Sequence, residues 1–352
     1  MSKITITGID LAKNIFHLHA VDSTGRQVKA IKLSRLRLSE YLHRSEPVTV
    51  AMEACASAHH WGRLCQLLGH EVRLISPQFV KPFVKSNKND RNDARAICEA
   101  AQRPDMHFVP VKTVEQQAVL SLHRVREMLI GQRTATINQL RGLLTEFGLT
   151  APAGRRALHN TIPAMLEDLM NISPTFLVSC IRQQWEHIGE LDQRIDNVTS
   201  QIEMHARQSD VTRRLQTIPG IGPITASALE AYVGNATQFR AGRQLAAWLG
   251  LVPRQHSTGG KPVLLGTSKR GDGYLRRLLV HGARAVVATV RSSPNVQKQD
   301  KTIMGWVARK HMNVAVVAMA NRNARIAWAV ITQKRNFDRN FRDQLANQLA
   351  AT

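Results

Sequence analysis

The amino-acid sequence predicts an α/β domain at the N-terminus, followed by a mainly α-helical remainder. Short β-rich segments alternate with helical segments over the first hundred residues. From about Val114 onward, apolar residues recur at helical spacing instead. The chain has 352 residues, enough for two or three domains, and we place the domain limits at 1–110, 111–210 and 211–352.

The N-terminal elements follow one another in a diagnostic order. Three strands joined by short turns come first, and helix, strand, helix and strand follow. The predicted strands are Ile4–Asp10, Ile15–Val21, Gln27–Leu33, Val48–Glu53 and Val72–Ile75, and the predicted helices cover about 34–44, 59–68 and 90–102. This is the order of a ribonuclease-H-like fold.

Two long helices are predicted in the middle of the chain, over Val114–Phe147 and Thr175–Arg207. In the second, isoleucine recurs every seven residues and Leu191 and Val198 fill the alternate position. The isoleucines are Ile181, Ile188, Ile195 and Ile202. This pattern favours a two-stranded coiled coil. The partner is either the first long helix, in an internal hairpin, or another protomer, in an arm that also helps the chain to oligomerise.

The last third of the chain is predicted to be mainly helical. The helices are placed at Ile224–Val233, Gly242–Leu249, Gly273–Val290, Ile303–Ala320 and Asn323–Gln333, with a Gly-rich basic insert at Val252–Asp272. Arg322 and Arg325 interrupt the apolar stretch Val314–Ile331, which predicts an amphipathic or core helix rather than a membrane span. No signal peptide is recognised, so we expect a bacterial cytoplasmic or nucleoid-associated protein with no membrane partner.

The net charge of the chain indicates which class of molecule it binds. The chain carries 48 Lys and Arg against 26 Asp and Glu, a formal net charge of +22, and acids are sparse after Val211. Such a balance predicts a polyanionic partner, most commonly the phosphate backbone of nucleic acid. The four cysteines form no C-x-x-C pair, which argues against a zinc site.

Four acidic residues stand out against this basic background. Asp10 and Glu53 come at the ends of predicted strands. Asp90 and Asp93 are three residues apart, so a helix would place both on one face. Mg²⁺ prefers carboxylate oxygens, and two ions about 4 Å apart stabilise the attacking and leaving oxygens of a phosphodiester. The set predicts a site for Mg²⁺, in two-ion form, in which Mn²⁺ can replace Mg²⁺.

Several other residues are candidates for nucleic-acid contact. Gly220 and Gly222 form a turn that resembles a helix–hairpin–helix element, where backbone N–H groups approach a phosphate. The remaining candidates are cations near the acidic set or in and after the basic insert: Lys85, Lys88, Arg91, Arg254, Lys261, Lys269, Arg270, Arg276 and Arg277. Ser257 lies in the Gly-flanked insert beside His256. By residue type alone it is typical of a polar turn, although Arg254, His256 and Lys261 are suited to stabilise charge on it or accept its proton.

Ordered motifs along nearly the whole chain carry a family resemblance. They are Gly8–Lys13, Met52–Ala54, Asn89–Ala94, Ile218–Gly222, Leu245–Leu251, Pro253–Ser257 and Gly271–Arg276. Together they resemble the motifs of the DEDD transposases of insertion-sequence family one-ten, in particular its eleven-eleven subgroup. That family also includes the Piv-type invertases. The segment Leu149–Ser173 matches least.

The resemblance implies a RuvC-like N-terminal domain, a coiled-coil arm and a C-terminal transposase domain. It implies that the four acids bind Mg²⁺ and that Ser257 is the nucleophile, forming a phosphoserine with one DNA strand. A structured bridge or seek RNA from the same element would pair with donor and target double-stranded DNA. The family also implies dimers that pair into a tetramer, with composite sites built from different protomers.

The residues leave two other functions open. In a RuvC-like hydrolytic nuclease, water attacks the phosphorus atom, Ser257 is only a loop residue, and no covalent protein–DNA adduct forms. In a non-catalytic nucleic-acid-binding protein, the acids serve packing. Binding would then be salt-sensitive but unaffected by Mg²⁺ or by Asp10→Ala.

Overall fold

The computed structural model describes residues 3–84, 90–258, 261–292 and 301–338, with only the backbone described for Asp90 and Lys301. The chain divides into two compact units. The first comprises Met1–Gln117 with the short segment Ala236–Arg240, and the second comprises Ala118–Asn235 and Ala241–Thr352.

A six-stranded mixed sheet organises the first unit. Its strands are β1 (Ile6–Asp10), β2 (Ile15–Val21), β3 (Gln27–Ser34), β4 (Thr49–Glu53), β5 (Glu71–Ile75) and β6 (Phe108–Val109). They lie in the order β3-β2-β1-β4-β5-β6. β1 is antiparallel to β2 and parallel to β4, and β4 is parallel to β5. The predicted α/β N-terminal domain is thus confirmed.

Helices cover both faces of this sheet. The helices of this unit are α1 (Arg35–Arg44), α2 (Ala58–Leu67), α3 (Pro77–Val80) and α4 (Asp90–Ala101). On one face, α1 and α2 bury a cluster that includes Phe16, Met52 and Trp61. On the other face, Ala51 and Ile97 belong to the cluster between the sheet and α4. Burial on both faces is typical of parallel strands, and it fixes the ends of β1 and β4 in place.

In its described part, the second unit is helical apart from one β hairpin. Its helices are α5 (Val114–Thr145, which begins in the first unit), α6 (Arg155–Ile172), α7 (Thr175–Gln208), α8 (Asp210–Gln216), α9 (Pro223–Val233), α10 (Gly242–Trp248), α11 (Gly273–Ser292), α12 (Lys301–Arg309) and α13 (Met312–Gln333). The hairpin pairs β7 (Pro253–Thr258) with β8 (Lys261–Thr267) in antiparallel fashion. The mainly helical remainder predicted from the sequence is therefore confirmed.

The heptad of α7 is buried against helices of its own chain. Ile181 shares an apolar cluster with Leu140 of α5 and Ile162 of α6. Further along, Ile195 packs against Leu129 of α5. The heptad therefore has an internal partner, as one of the two predicted alternatives required. The coiled-coil arm and its role in oligomerisation stay predictions.

Polar contacts hold the same three helices in register. Asp192 of α7 accepts hydrogen bonds from Arg133 of α5 at 2.6 Å and from Arg155 of α6 at 2.5 Å. Arg126 Nε of α5 donates to Thr199 Oγ1 of α7 at 2.8 Å. These contacts recur along α7, so its long helix is tied to α5 at more than one level.

Two parts of the chain fold differently from the prediction. The segment Leu149–Ser173, assigned to no element, contains α6. Its interior Pro163 disguises the helical pattern, because proline removes one backbone donor and usually ends a helix. The basic insert Val252–Asp272, interpreted as a loop, contains the β7–β8 hairpin.

The C-terminal helices also have different limits. The helix predicted at Ile303–Ala320 ends at Arg309, and α13 begins at Met312 and continues through the break predicted before Asn323. His311 caps α13, since its Nδ1 accepts a hydrogen bond from the Asn313 N–H. A cap placed inside an apolar run is not visible as a change of periodicity.

Among the described residues, α13 is the one helix long and apolar enough to cross a membrane. Half of its apolar window is buried inside the protein. Its buried positions recur at helical spacing, at Ala315, Met319, Asn323 and Ala327. Asn323 Nδ2 donates to the Pro219 carbonyl at 2.9 Å, which ties this helix to the rest of the second unit. The contacts are those of the predicted core helix.

Candidate active site and nucleic-acid interface

Two of the four predicted carboxylates are neighbours at one edge of the sheet. β1 and β4 are parallel, with Ile9 opposite Met52, so Asp10 and Glu53 follow on adjacent strands. Adjacent strands lie about 4.8 Å apart. Ile9 and Met52 are fully buried, whereas Asp10 and Glu53 are half-buried. The core therefore holds the strand ends, and the two acidic residues that follow are partly exposed.

The carboxylates of Glu53 and Asp10 both affect the pKa of the Cys55 thiol. Burial raises the pKa of Cys55 above its usual value, and the carboxylates of Glu53 and Asp10 raise it further. Both carboxylates therefore act on a single point just beyond β4.

The backbone of α4, the helix that carries the other two predicted acids, lies against β1. A Cβ added to Gly8 would lie 2.5 Å from the Ala94 carbonyl oxygen and 2.8 Å from the Cys98 nitrogen. Only glycine lets the helix backbone rest on the strand here. Asp93, next to Ala94, is half-buried. Asp90 opens α4, and its side chain lies outside the described residues.

The donor chemistry fits a hard divalent cation. Asp10 and Glu53 present carboxylate oxygens, the ligands that Mg²⁺ prefers. Among the side chains that the structure describes, no group of three His, Cys, Asp or Glu lies close enough to hold a metal ion. Asp10 and Glu53 thus follow one another on adjacent strands, but the described Asp93 does not form a group of three with them. A metal site completed by α4 stays a prediction.

Two arginines of α4 lower the pKa of a histidine on β2, the strand that pairs with β1 in antiparallel fashion. His19 of β2, opposite Gly8, is buried, and burial lowers its pKa, with further lowering by Arg95 and Arg91. Arg91 is exposed, and Arg95 forms an ion pair with Glu99 at 3.3 Å. A cation at Arg91 is thus accessible beside the predicted metal ligands. Lys85 and Lys88 lie outside the described residues.

Ser257 is exposed on β7 rather than in a loop. It stands opposite Pro262 of β8, and its Oγ accepts a hydrogen bond from Gln255 Nε2 at 2.8 Å. Side chains alternate between the two faces of a strand, so Gln255 and Ser257 share one face. His256 lies on the other face. Lys261, opposite Thr258, also belongs to that other face.

This register corrects the expected surroundings of the serine. His256 and Lys261 do not share a face with Ser257, so the strand does not aim them at its Oγ. A β bulge between Pro253 and Gln255 interrupts the regular alternation at Arg254. Arg254 and Lys261 are exposed and remain candidates for nucleic-acid contact.

The base of the hairpin is fixed by two glycines with positive φ. A Cβ at Gly250 (φ +69) would lie 2.1 Å from the Arg270 carbonyl oxygen, and one at Gly271 (φ +88) would lie 1.8 Å from the Trp248 carbonyl oxygen. Lys269 N donates to the Gly250 carbonyl at 3.2 Å. The two ends of the hairpin therefore enter and leave through one close backbone contact.

Two of the predicted phosphate contacts, Arg276 and Arg277, bind other groups of the protein. Arg276 Nη1 donates to the carbonyl oxygens of Leu249 at 3.2 Å and Arg270 at 3.4 Å. Arg277 forms an ion pair with Glu127 of α5. These arginines therefore hold the base of the hairpin and the start of α11, which sequence reasoning did not anticipate.

The Gly-x-Gly turn has a packing role at its first glycine. A Cβ on Gly220 (φ +85) would lie 2.7 Å from the Gly282 carbonyl oxygen, and one on Gly282 would lie 1.8 Å from the Gly220 carbonyl oxygen. Gly222 is exposed, and a Cβ there would meet nothing within 4 Å. Of the two, Gly222 is thus the one whose backbone is open to a phosphate at the start of α9.

A buried histidine that was not predicted as a functional residue links α5 to α9 and α11. His123 of α5 is fully buried, with Nδ1 2.9 Å from Tyr274 Oη and Nε2 3.2 Å from Ser227 Oγ. Burial is the main cause that lowers the pKa of His123 to about 4. A lone histidine on an apolar helix gives no signal of such partners, because they lie more than one hundred residues away.

Comparison with known proteins assigns the chain to a family. Residues 7–148 match a model for DEDD transposases, and residues 212–300 match the model described as "Transposase IS116/IS110/IS902 family". The N-terminal mixed α/β sheet is consistent with a DEDD nuclease-like domain.

Full-length relatives agree with this assignment. A "Probable family 20 transposase" of Pseudomonas aeruginosa is 49% identical over 93% of this chain and 96% of its own. The transposase for insertion sequence element IS1328 of Yersinia enterocolitica is 44% identical, covering 95% and 98%. The transposase for IS1111A of Coxiella burnetii is 42% identical, covering 96% and 92%. The chain belongs to the IS110/IS116/IS902 family of DEDD transposases, enzymes that cleave and rejoin DNA.

Proposed function

We propose that this chain is an RNA-guided DNA transposase that cleaves and exchanges strands through a phosphoserine at Ser257. The observation that carries the proposal is the parallel register of β1 and β4, which sets Asp10 beside Glu53. With Asp90 and Asp93 on α4, these residues would hold Mg²⁺, or Mn²⁺ in its place. A bound ion of this kind polarises the phosphate and stabilises charge on the attacking and leaving oxygens.

The chain's own residues carry the bond changes. Ser257 Oγ attacks the phosphorus atom, the bond from phosphorus to the leaving 3′ oxygen breaks, and the serine proton passes to solvent. The leaving strand takes up a proton to become a hydroxyl. In strand exchange, a 3′ hydroxyl attacks the phosphoserine and releases Ser257. One ester bond replaces another at each step, so no ATP is consumed.

The partners follow from charge and from family resemblance. The net charge of +22 and the exposed Arg254 and Lys261 on the hairpin support contact with nucleic acid. We propose a bridge or seek RNA as the guide, with donor and target duplexes as substrates. We further propose a dimer that assembles into a tetramer in the bacterial cytoplasm.

A hydrolytic nuclease is the second candidate, and the hairpin register is what favours it. His256 and Lys261 do not share a face with Ser257, so the hairpin does not direct either side chain at the serine hydroxyl as a base. In that mechanism water attacks the phosphorus atom, and Ser257 takes no part.

A denaturing gel separates the two mechanisms. Wild-type protein and Ser257→Ala are each incubated with the element's non-coding RNA, donor and target duplexes and Mg²⁺. The proposal predicts a protein–DNA adduct in the wild type that is lost in Ser257→Ala and without Mg²⁺. Thr258→Ala, on the other face of the same strand, is the matched control and should keep the adduct. Cleavage by both proteins with no adduct would establish the hydrolytic nuclease.

A further inference from the structure

A cleft of about 320 Å³ lies in the C-terminal part of the second unit. It is formed where the end of α11 meets the end of α12 and the start of α13. Its lining residues are Val287, Arg291, Val307, Lys310, His311 and Met312. None of them belongs to the hairpin or to the acidic set.

The cleft has an apolar floor and a cationic rim. Val287 is buried and Val307 is half-buried, whereas Arg291, Lys310 and His311 are exposed. The hydrogen bond that Arg291 makes is to Met312 Sδ at 3.9 Å, and a thioether is a weak acceptor. The rim therefore offers donors to an anion while the floor offers a surface to an apolar group.

Acidic residues are sparse in the surrounding sequence. Between Gly273 and Phe337 the single carboxylate is Asp300, which lies outside the described residues. The rim cations therefore sit in a long stretch of chain that is nearly free of opposing charge. An anionic ligand would not have to displace many local ion pairs to bind there.

A basic stripe on α11 leads to this cleft. Arg277, Arg284 and Arg291 are spaced by seven residues, which places them on one face of the helix, and all three are exposed. Arg277 is ion-paired with Glu127, so Arg284 and Arg291 are the members nearest the cleft that form no ion pair with the residues that the structure describes. From Arg277 to Arg291 the helix rises about 21 Å. A row of cations along one face, ending at a cleft, suits a chain of phosphates better than a single small anion.

We propose that the cleft binds one unpaired nucleotide of a single-stranded nucleic-acid segment. Its base lies against Val307 and Met312, which are half-buried, and its phosphates contact Arg291 and Lys310. The volume is at the lower end of the range for ligand pockets, about 300 to 1,000 Å³, which suits one nucleotide rather than a duplex. Single strands are held by a cationic track combined with a surface on which bases rest. This inference deepens the proposed function, because guide RNA and displaced DNA strands both contain unpaired nucleotides.

Binding assays on the full-length protein test the rim and the floor separately. The probes are labelled single-stranded RNA, single-stranded DNA of the same sequence, and the matching duplex, measured by fluorescence anisotropy over a salt series. The rim variant is Arg291→Gln with Lys310→Gln. The floor variant is Val307→Phe, which fills the cleft without changing charge. The control is Arg182→Gln with Arg194→Gln, two exposed cations of α7 that lose the same charge.

We expect the rim variant to weaken single-strand binding and to reduce the salt slope by about 1.4, or 0.7 for each lost phosphate contact. The floor variant should weaken single-strand binding while keeping the wild-type slope, because it fills the cleft without removing a charge. Duplex binding should change much less in the floor variant. Comparison of the RNA and DNA probes tells which strand the cleft prefers.

Two results overturn the inference. One is a floor variant that binds single strands as the wild type does, and the other is a control that loses as much as the rim variant. Circular dichroism on each variant checks that the fold is retained. The adduct assay on Ser257 needs no result from the cleft, so failure here leaves the proposed function standing. Equally, cleft-dependent binding without any adduct would sustain this inference while the proposed function fails.

Discussion

At the scale of single residues, close contacts decide what each candidate can do. Arg276 resembles a phosphate ligand in the sequence, yet its guanidinium binds the carbonyls of Leu249 and Arg270. Ser257 resembles a polar turn residue, yet β7 holds it exposed beside Gln255. The residue types were visible in the sequence, but their partners depend on strand register and on contacts distant in sequence.

Gly8 sets the distance between the strand that carries Asp10 and the helix that carries Asp93. We expect Gly8→Ala to cost about 1–3 kcal/mol of stability, because its Cβ would lie 2.5 Å from the Ala94 carbonyl oxygen and force α4 away. The same shift should reduce strand cleavage more than it reduces RNA binding. Urea unfolding and a cleavage assay measure the two effects.

Gly131→Ala is the matched control for this substitution. Gly131 is exposed on α5, and a Cβ there meets nothing within 4 Å. That change should stabilise the protein by about 0.5–1 kcal/mol, since alanine restricts the unfolded chain and favours a helix. If Gly8→Ala were as stable and as active as Gly131→Ala, the close contact of α4 with β1 would not position the acids.

Burial of His123 should make the free energy of unfolding decrease as the pH falls. Its pKa is lowered from 6.5 to about 4 in the folded protein, chiefly by burial. As pH falls, the unfolded chain binds this proton before the folded chain does. The contribution is therefore complete above about pH 6.5 and is lost progressively down to pH 4, by about 3 kcal/mol in total.

Urea unfolding at a series of pH values tests this sign. Between pH 7 and pH 4.5 the wild type should lose more stability than His123→Gln, which has no proton to bind there. His43→Gln changes an exposed histidine and should keep the wild-type dependence. Parallel curves for the wild type and His123→Gln would show that this buried ring does not control acid stability.

At the scale of elements, the sequence predicts those whose periodicity is uninterrupted. β2 at Ile15–Val21 has the predicted limits because its alternation is bounded by turn residues on both sides. α6 is missed because Pro163 lies within it. The hairpin is missed because Pro253–Thr258 has no apolar alternation, and all six of its residues are exposed. Asp10 and Glu53 were predictable because parallel strands end at one edge of a sheet, whereas the face of Ser257 required the register.

The heptad of α7 offers a test at this scale. Ile195 is buried against Leu129 in the same chain, so Ile195→Ala should lower the free energy of unfolding by about 2–4 kcal/mol. The mass of the folded protein by light scattering should not change. Arg194→Ala, the exposed neighbour, should alter stability by no more than about 0.5 kcal/mol. A smaller assembly with unchanged stability would mean that the heptad joins two protomers instead.

At the scale of the whole molecule, the net charge is +22, and the cations behind it have two different roles. Some cations, such as Arg133 and Arg155 on Asp192, hold helices together. Others, such as Arg284 and Arg291 on α11, are exposed in a region with few acids. Charge counting predicts a nucleic-acid partner, but only the contacts distinguish the cations that bind it from those that stabilise the fold.

The affinity for RNA should therefore fall steeply with salt. If about six phosphates are neutralised, the logarithm of the binding constant falls with a slope of about −4, which is roughly 300-fold between 50 and 200 mM salt. Asp10→Ala should keep that slope while abolishing strand cleavage, because Asp10 lies in the acidic pair and not on a basic surface. Filter binding over a salt series measures the slope. A flat response would mean that the exposed cations are not the binding surface, and an Asp10→Ala protein that still cleaves would remove Asp10 from the metal site.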